Sequence, residues 1–229
     1  MKFDPELIPE RPNFEFETAL WSEDTCFVAG IDEAGRGALA GPVAAAAVMF
    51  HADESLYQTL RGVRDSKQMT PASRSKWAEQ LKEIARDFGV GLSSPEEIDE
   101  IGIVPATQLA ASRALDRFRR SPRHILIDYL TIPNCSISQT PLVKGDARSL
   151  SIAAASILAK VARDALMCEF DFLYPGYGFA AHKGYGTIAH RESIDSLGAC
   201  PIHRKSFRIK GVKIEGMSTK INHCGGTDD

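Results

Sequence analysis

CFVAGIDEAGRGALAGPVAAAAVMF, residues 26–50, is the stretch from which the fold follows. Cys26 to Ile31 is an apolar, β-favouring run that predicts a core strand, and Asp32 and Glu33 stand at its end, just before Gly35 and Gly37. Pro42 to Phe50 predicts its partner, with Gly35, Gly37, Gly41 and Pro42 supplying a hairpin-like connection. The alanine run taken alone also suits a helix; the flanking punctuation favours a strand. Carboxylates at the end of an apolar strand are expensive to bury unless something positive compensates them.

Outward from that pair, strands and helices alternate. Thr70 as N-cap and Pro71 at the first helical position open a helix predicted over Pro71 to Phe88, with Trp77, Leu81, Ile84 and Phe88 as its apolar face. Val90 to Leu92 predicts a short strand, Ile103 to Phe118 a second amphipathic helix, and Ile125 to Ile127 a strand ending at Asp128. Ser149 to Phe172 is a long alanine-rich helix; Gly176, Gly178, Gly184 and Gly186 mark a loop before a last helix over Thr187 to Ser196. Such alternation argues for a layered α/β fold.

The 229 residues suffice for one substantial core, and 44 % hydrophobic with 25 % charged residues is the make-up of a globular chain rather than a disordered one. The acidic N-terminus has no apolar signal-like run, the longest small-apolar run is too short to span a bilayer, and the five cysteines form no C-x-x-C pair. A cytoplasmic protein with reduced thiols and no membrane association is the expectation. The net charge of −3 hides an asymmetry, because residues 1–110 carry 10 basic against 19 acidic side chains and residues 111–229 carry 17 against 11. A near-neutral total is therefore compatible with nucleic-acid binding through a local basic face, and equally with an ordinary solvated surface.

Asp128 at its strand end and Asp146 ahead of the long helix repeat the pattern of Asp32 and Glu33, so four acids are expected at one end of the sheet. Oxygen ligands of this kind suit hard divalent cations, magnesium or manganese. Each acid also has a plainer explanation: Asp146 as a helix cap, Asp128 as a turn residue, Asp32 with Glu33 as a solvated turn. Neighbours on a regular strand point to opposite faces, so Asp32 and Glu33 share a metal only if the chain distorts; the glycines at 35 and 37 make a bend the expected answer. Arg36 between those glycines offers a forked cation to a phosphate or hydroxyl.

Gly30-Ile31-Asp32-Glu33-Ala34-Gly35-Arg36-Gly37 with Gly41-Pro42-Val43 resembles the opening motif of ribonuclease HII, of the type 2 ribonuclease H family. Asp65-Ser66-Lys67, Ile127-Asp128, Lys144-Gly145-Asp146, the run from Ser151 to Asp164, His182 to Thr187 and His203 to Phe207 resemble its later blocks in order. Bacterial members commonly follow the third acid with Gly, whereas Tyr129-Leu130 stands here, a departure in the loop that follows this strand. About 25 residues precede the first strand, too few for the N-terminal substrate-binding domain of ribonuclease HIII.

The resemblance implies a ribonuclease H-like mixed sheet flanked by helices, with a small C-terminal helical extension. It also implies endonucleolytic cleavage of RNA in RNA/DNA hybrids and beside single ribonucleotides in duplex DNA, leaving 5′-phosphate and 3′-hydroxyl ends. Asp32, Glu33, Asp128 and Asp146 would hold two divalent ions, Mg²⁺ or Mn²⁺. Gly35, Arg36 and Gly37 would read the ribose 2′-OH, Tyr185 would stack on the next sugar, and Lys67 would meet a phosphate. The end block makes Arg204 and Lys205, with Arg208, Lys210 and Lys213, candidates for the phosphate backbone, whereas Arg113, Arg117, Arg119, Arg120 and Arg123 read as a solvated surface. The expected layout is an N-terminal extension over 1–24, a catalytic domain over 25–197, a substrate-contacting extension over 198–217 and a mobile tail over 218–229. A monomer is expected, with replication or repair proteins as possible partners. Two other readings stay open: a non-catalytic hybrid-binding module, and a zinc protein built on Cys200-x-x-His203 with His223-Cys224.

Overall fold

A computed structural model of the protein describes residues 4–21 and 26–207. In chain order the elements are α1 (Glu15–Trp21), β1 (Val28–Ala34), β2 (Val43–Met49), α2 (Leu56–Thr59), α3 (Pro71–Ile84), β3 (Asp87–Ser93), α4 (Pro95–Ile101) and α5 (Ile103–Leu115). They continue with β4 (His124–Asp128), β5 (Ser138–Leu142), α6 (Leu150–Leu173), α7 (Phe179–His182) and α8 (Ile188–Leu197). One five-stranded sheet runs in the order β3-β2-β1-β4-β5, antiparallel from β3 to β1 and parallel from β1 to β5. This is the mixed sheet flanked by helices expected above, with α7 and α8 as the small C-terminal helical part. No helix among the described residues is long and apolar enough to cross a membrane.

The helix α6 covers one face over β1 and β2, and α5 covers the other over β2 and β3. Small residues set both distances. A Cβ on Gly30 would lie 2.2 Å from the Ser151 backbone carbon, so only glycine lets the first turn of α6 lie on β1. On the other face a Cβ on Gly89 or Gly91 would lie 2.1 Å from the carbonyl oxygens of Ala114 or Ala110 in α5. Ala153, Ala154, Ala155 and Ala159 pack into one core, and Ala106, Ala110, Ala111 and Ala114 into the other. The start of α6 is further held by Glu17 of α1, which is buried and accepts from the Ser149 and Ser151 hydroxyls and the Ser151 N–H at 2.5–2.9 Å.

Several boundaries differ from expectation. Strand β1 starts at Val28 and runs through both acids to Ala34, pairing Asp32 with Ala46, Glu33 with Ala45 and Ala34 with Ala44. The acids are tolerated inside the strand because β1 outruns β4: pairing on that side stops at Ile31 opposite Ile127. The predicted helix to Phe88 ends at Ile84, because Phe88 belongs to β3, whose residues from Asp87 to Ser93 pair along the whole of β2. Thr70 caps that helix as expected, accepting from the Ser73 N–H at 3.2 Å. Elements not anticipated are α1, α2, α4, α7 and β5; the last is a polar edge strand containing Pro141, where a missing N–H is harmless.

Candidate active site

Gly30 and Asp32 are two apart on β1 and share its α6 face, so the glycine that admits α6 also brings the chain just before that helix up to Asp32. That preceding chain is the 3-10 turn Gly145–Ala147, entered through Lys144 in the left-handed region at φ 54°. Its Gly145 N–H donates to Asp128 Oδ1 at 2.7 Å, tying the end of β4 to the turn that carries Asp146. Asp146 is not the cap of α6; Ser149 is, accepting from the Ile152 N–H. The β1–β2 pairing continues without interruption through Asp32 and Glu33 to Ala34, so the strand does not break at the acids, and both line one small cavity with Ile31 and Ile127. The four carboxylates nevertheless share one end of the sheet, because the strand that would separate Glu33 from Asp128 has stopped pairing.

The electrostatics identify the group. Asp32 is 4 % exposed, and its carboxyl is pushed well above the usual range by burial first and then by the charges of Glu33, Asp128 and Asp146. Asp32 Oδ1 accepts from the adjacent Glu33 N–H at 2.7 Å. Burial also raises Asp128, to about 6, with Asp146 and Glu33 adding to it against the opposing Gly145 N–H. Lys67 Nζ lies 3.2 Å from Asp146 and 4.0 Å from Asp65; burial works against its charge, but Asp146, Asp65 and Asp32 outweigh that and raise its pKa. Arg36 Nη1 is 3.2 Å from Glu33. Asp65, given no role from sequence, is thus a fifth acid at the rim, raised by burial and by Asp146.

These residues fit divalent cations. The donors are hard oxygens, and the like-charge repulsion that raises Asp32 and Asp128 is what a bound cation would reverse. Among the described residues no three acids, histidines or cysteines already form a finished metal shell. Lys67 holds Asp146, Arg36 holds Glu33 and the Gly145 N–H holds Asp128.

Around the acids, two buried arginines fasten the glycine loop. Arg204 is fully buried and donates Nε to the Gly41 carbonyl at 3.0 Å, Nη1 to Arg36 at 2.8 Å and Nη2 to Gly35 at 2.8 Å. Its expected contact with substrate is therefore corrected: the guanidinium is consumed by backbone carbonyls and positions the loop from beneath. Arg163 of α6 does the same for the carbonyls of Pro42, Lys183 and Ala40 at 2.9–3.0 Å, and a Cβ on Gly35 would strike it. Arg163 had no assigned role, although an arginine in register with Ser156, Ala159 and Met167 on a buried helix face was a signal to follow. Gly37 is exposed, and a Cβ there would meet open space. Lys205 is exposed, with its N–H on Asp99. Arg208, Lys210 and Lys213 lie outside the described residues.

Tyr185 is reached from the same loop. The Leu39 and Ala40 N–H groups donate to the Gly184 carbonyl, and Lys160 and Arg163 lie 5.5 and 5.4 Å from the Tyr185 ring centroid. Its carbonyl ends a histidine relay. The Cys200 N–H donates to His203 Nδ1 at 2.9 Å, so His203 Nε2–H donates to His190 Nε2 at 3.1 Å and His190 Nδ1–H donates to the Tyr185 carbonyl at 3.0 Å. Burial holds both rings neutral by lowering their pKa values, His190 to about 4. Cys200 and His203 thus serve this relay, and no third zinc ligand joins them among the described residues; His223 and Cys224 lie outside those residues. Of the first basic group, Arg113 forks onto Glu97 and Arg120 lies over the Phe27 ring.

The family model for ribonuclease HII matches residues 29–210. A ribonuclease HII of Clostridioides difficile is 50 % identical over 192 residues, covering 84 % of this chain and 74 % of that one. Among solved structures, the ribonuclease H2 of Pyrococcus horikoshii OT3 superposes with a TM-score of 0.66 at 31 % identity, over 79 % of this chain and 93 % of its own. The ribonuclease HII of Archaeoglobus fulgidus, solved as a complex with PCNA, gives 0.67 at 26 % identity, over 82 % and 98 %.

Proposed function

Because this chain belongs to the ribonuclease HII family, metal-dependent hydrolases that cut the RNA of RNA/DNA hybrids, we propose that it also cuts 5′ of single ribonucleotides embedded in duplex DNA, leaving 5′-phosphate and 3′-hydroxyl ends. The observation that supports this most is Asp32: a buried carboxylate among three other acids, with no ion pair of its own among the described residues.

In this reading Asp32, Glu33, Asp128 and Asp146 hold two ions, Mg²⁺ or Mn²⁺. Bound there, the pair supplies an activated water and charge stabilisation for the departing 3′-oxygen. The chain's own work is positioning. Gly35 and Arg36 have their carbonyls engaged from beneath by Arg204, which leaves the loop's N–H groups to face a ribose 2′-OH, the group that distinguishes RNA from DNA at one site. Gly37, with open space where a Cβ would stand, lets a sugar approach the backbone closely. Lys67 bridges Asp146 and the rim and meets a phosphate, and the Tyr185 ring, braced by Lys160 and Arg163, packs on the next sugar. Lys205 is retained as a backbone contact. Action as a monomer in the cytoplasm, with a replication or repair protein as partner, completes the reading; the free thiols and the PCNA complex of the A. fulgidus relative support it.

The test is cleavage of three labelled duplexes, one with a single ribonucleotide, one a continuous hybrid and one all DNA, each with Mg²⁺, Mn²⁺ or chelator. Cutting of the first two with either metal, none of the third, and loss of all cutting in Asp32→Asn is the expected result. Binding without cleavage would instead favour the non-catalytic module.

A further inference from the structure

Directly after the third acid stands a side chain that none of these roles uses. Tyr129 turns the chain out of β4 with φ at 60°, and the turn is closed by the Leu130 N–H donating to the Asp128 carbonyl at 2.6 Å. A three-residue turn with positive φ at its centre is a rare and strained form that glycine adopts most easily. Tyr129's own N–H donates to the Leu142 carbonyl at 3.0 Å, so β5 holds the turn in that shape. The ring gains no burial in return: Tyr129 is 67 % exposed and belongs to none of the apolar clusters of the described residues, while Leu130 beside it packs inward. It stands on the wall of a cleft of about 510 Å³ that Asp128, Asp146, Asp65, Lys67 and Arg36 also line. Tyr185 lines a separate cavity with Arg74, Lys160 and Lys183.

A strained backbone held rigidly at a site, carrying an exposed aromatic toward clustered charges, is a feature whose benefit comes from what enters the cleft. Nucleic acid offers that ring a π face on every base and an apolar face on every sugar. We propose that Tyr129 is a second aromatic station for the substrate, stacking on a nucleoside beside the acid cluster and setting how tightly this protein grips its duplex. The inference rests on nucleic acid entering the acid-lined cleft.

The experiment compares wild type with Tyr129→Gly and Tyr129→Phe on the single-ribonucleotide duplex, reading KM and kcat with Mg²⁺, duplex Kd by fluorescence anisotropy with Ca²⁺, and Tm. The glycine variant is expected to keep or gain Tm while KM and Kd rise at least about fivefold, the loss of one stacked base, and the phenylalanine variant to stay within about twofold of wild type because the ring is retained. Unchanged KM and Kd in the glycine variant, with or without a fall in Tm, would overturn the proposal. A phenylalanine variant as weak as the glycine one would assign the effect to the hydroxyl and overturn the stacking. Wild type that neither binds nor cuts the duplex would sink the functional reading itself, and this inference with it.

Discussion

Arg204 shows how much one side chain decides. Its guanidinium meets the carbonyls of Gly35, Arg36 and Gly41 in one plane, a fork that a lysine cannot reproduce. Burial, with Arg163 nearby as a second cause, lowers its pKa, yet it remains the charged donor that the loop is folded around. Arg204→Lys is expected to leave at least one buried carbonyl unsatisfied, at about 1–3 kcal/mol, which in a chain of this size lowers Tm by roughly 2–10 °C. Discrimination between ribonucleotide and deoxyribonucleotide should fall with it, because the loop proposed to meet the 2′-OH loses its anchor. Calorimetry and the cleavage ratio on the two duplexes check this, and an unchanged Tm would show that the carbonyls are otherwise served.

At the scale of elements, the histidine relay couples α8 to the Tyr185 loop and to the chain that follows α8. His190 sits near 4 in the fold against an ordinary 6.5, so the unfolded chain takes up a proton that the fold refuses. Its contribution is therefore fully present above about 6.5 and lost as pH falls toward 4. His190→Gln should be less stable than wild type at pH 7.5, with the gap in Tm narrowing toward pH 4.5; parallel Tm curves across that range would refute the relay. Capping shows the same dependence on elements: Ser94 and Glu97 form a full capping box on α4, and Glu97 also receives the fork of Arg113. Arg113 thereby has a structural role at the start of α4.

For the molecule as a whole, the acid end of the sheet is a cost that a bound cation would remove. Asp32 and Asp128 titrate above their ordinary values, so in the metal-free protein their ionisation opposes folding, and the part of the stability due to Asp128 is lost as pH rises from about 4 through 6. His190 works in the opposite direction over the same window, so the metal response, not the bare pH curve, isolates the acids. Mn²⁺ or Mg²⁺ at pH 7.5 should raise Tm, by the equivalent of about 2.7 kcal/mol at a hundred times Kd. The increment should shrink below pH 6, where Asp128 takes a proton in competition with metal. Asp32→Asn should raise the metal-free Tm and abolish most of the increment; a scan showing the same increment in the variant would remove Asp32 from the metal site.

The amino-acid order alone determined the candidates for the chemistry: Asp32, Glu33, Asp128 and Asp146 stand beside apolar runs where unpaired acids are unfavourable, and caps such as Thr70 act within a few residues. Such signals are local, and local periodicity and motif spacing suffice to see them. Only the tertiary structure decided that Asp32 and Glu33 lie within a strand, since that depends on β4 stopping short at Ile127. It likewise decided that Arg204 faces inward, because its partner Gly35 is 169 residues away, and that polar Ser138–Leu142 is a strand, because β4 offers it an edge. Burial and hydrogen-bond partnership are properties of chain segments brought together from far apart, and no window along the chain contains both halves.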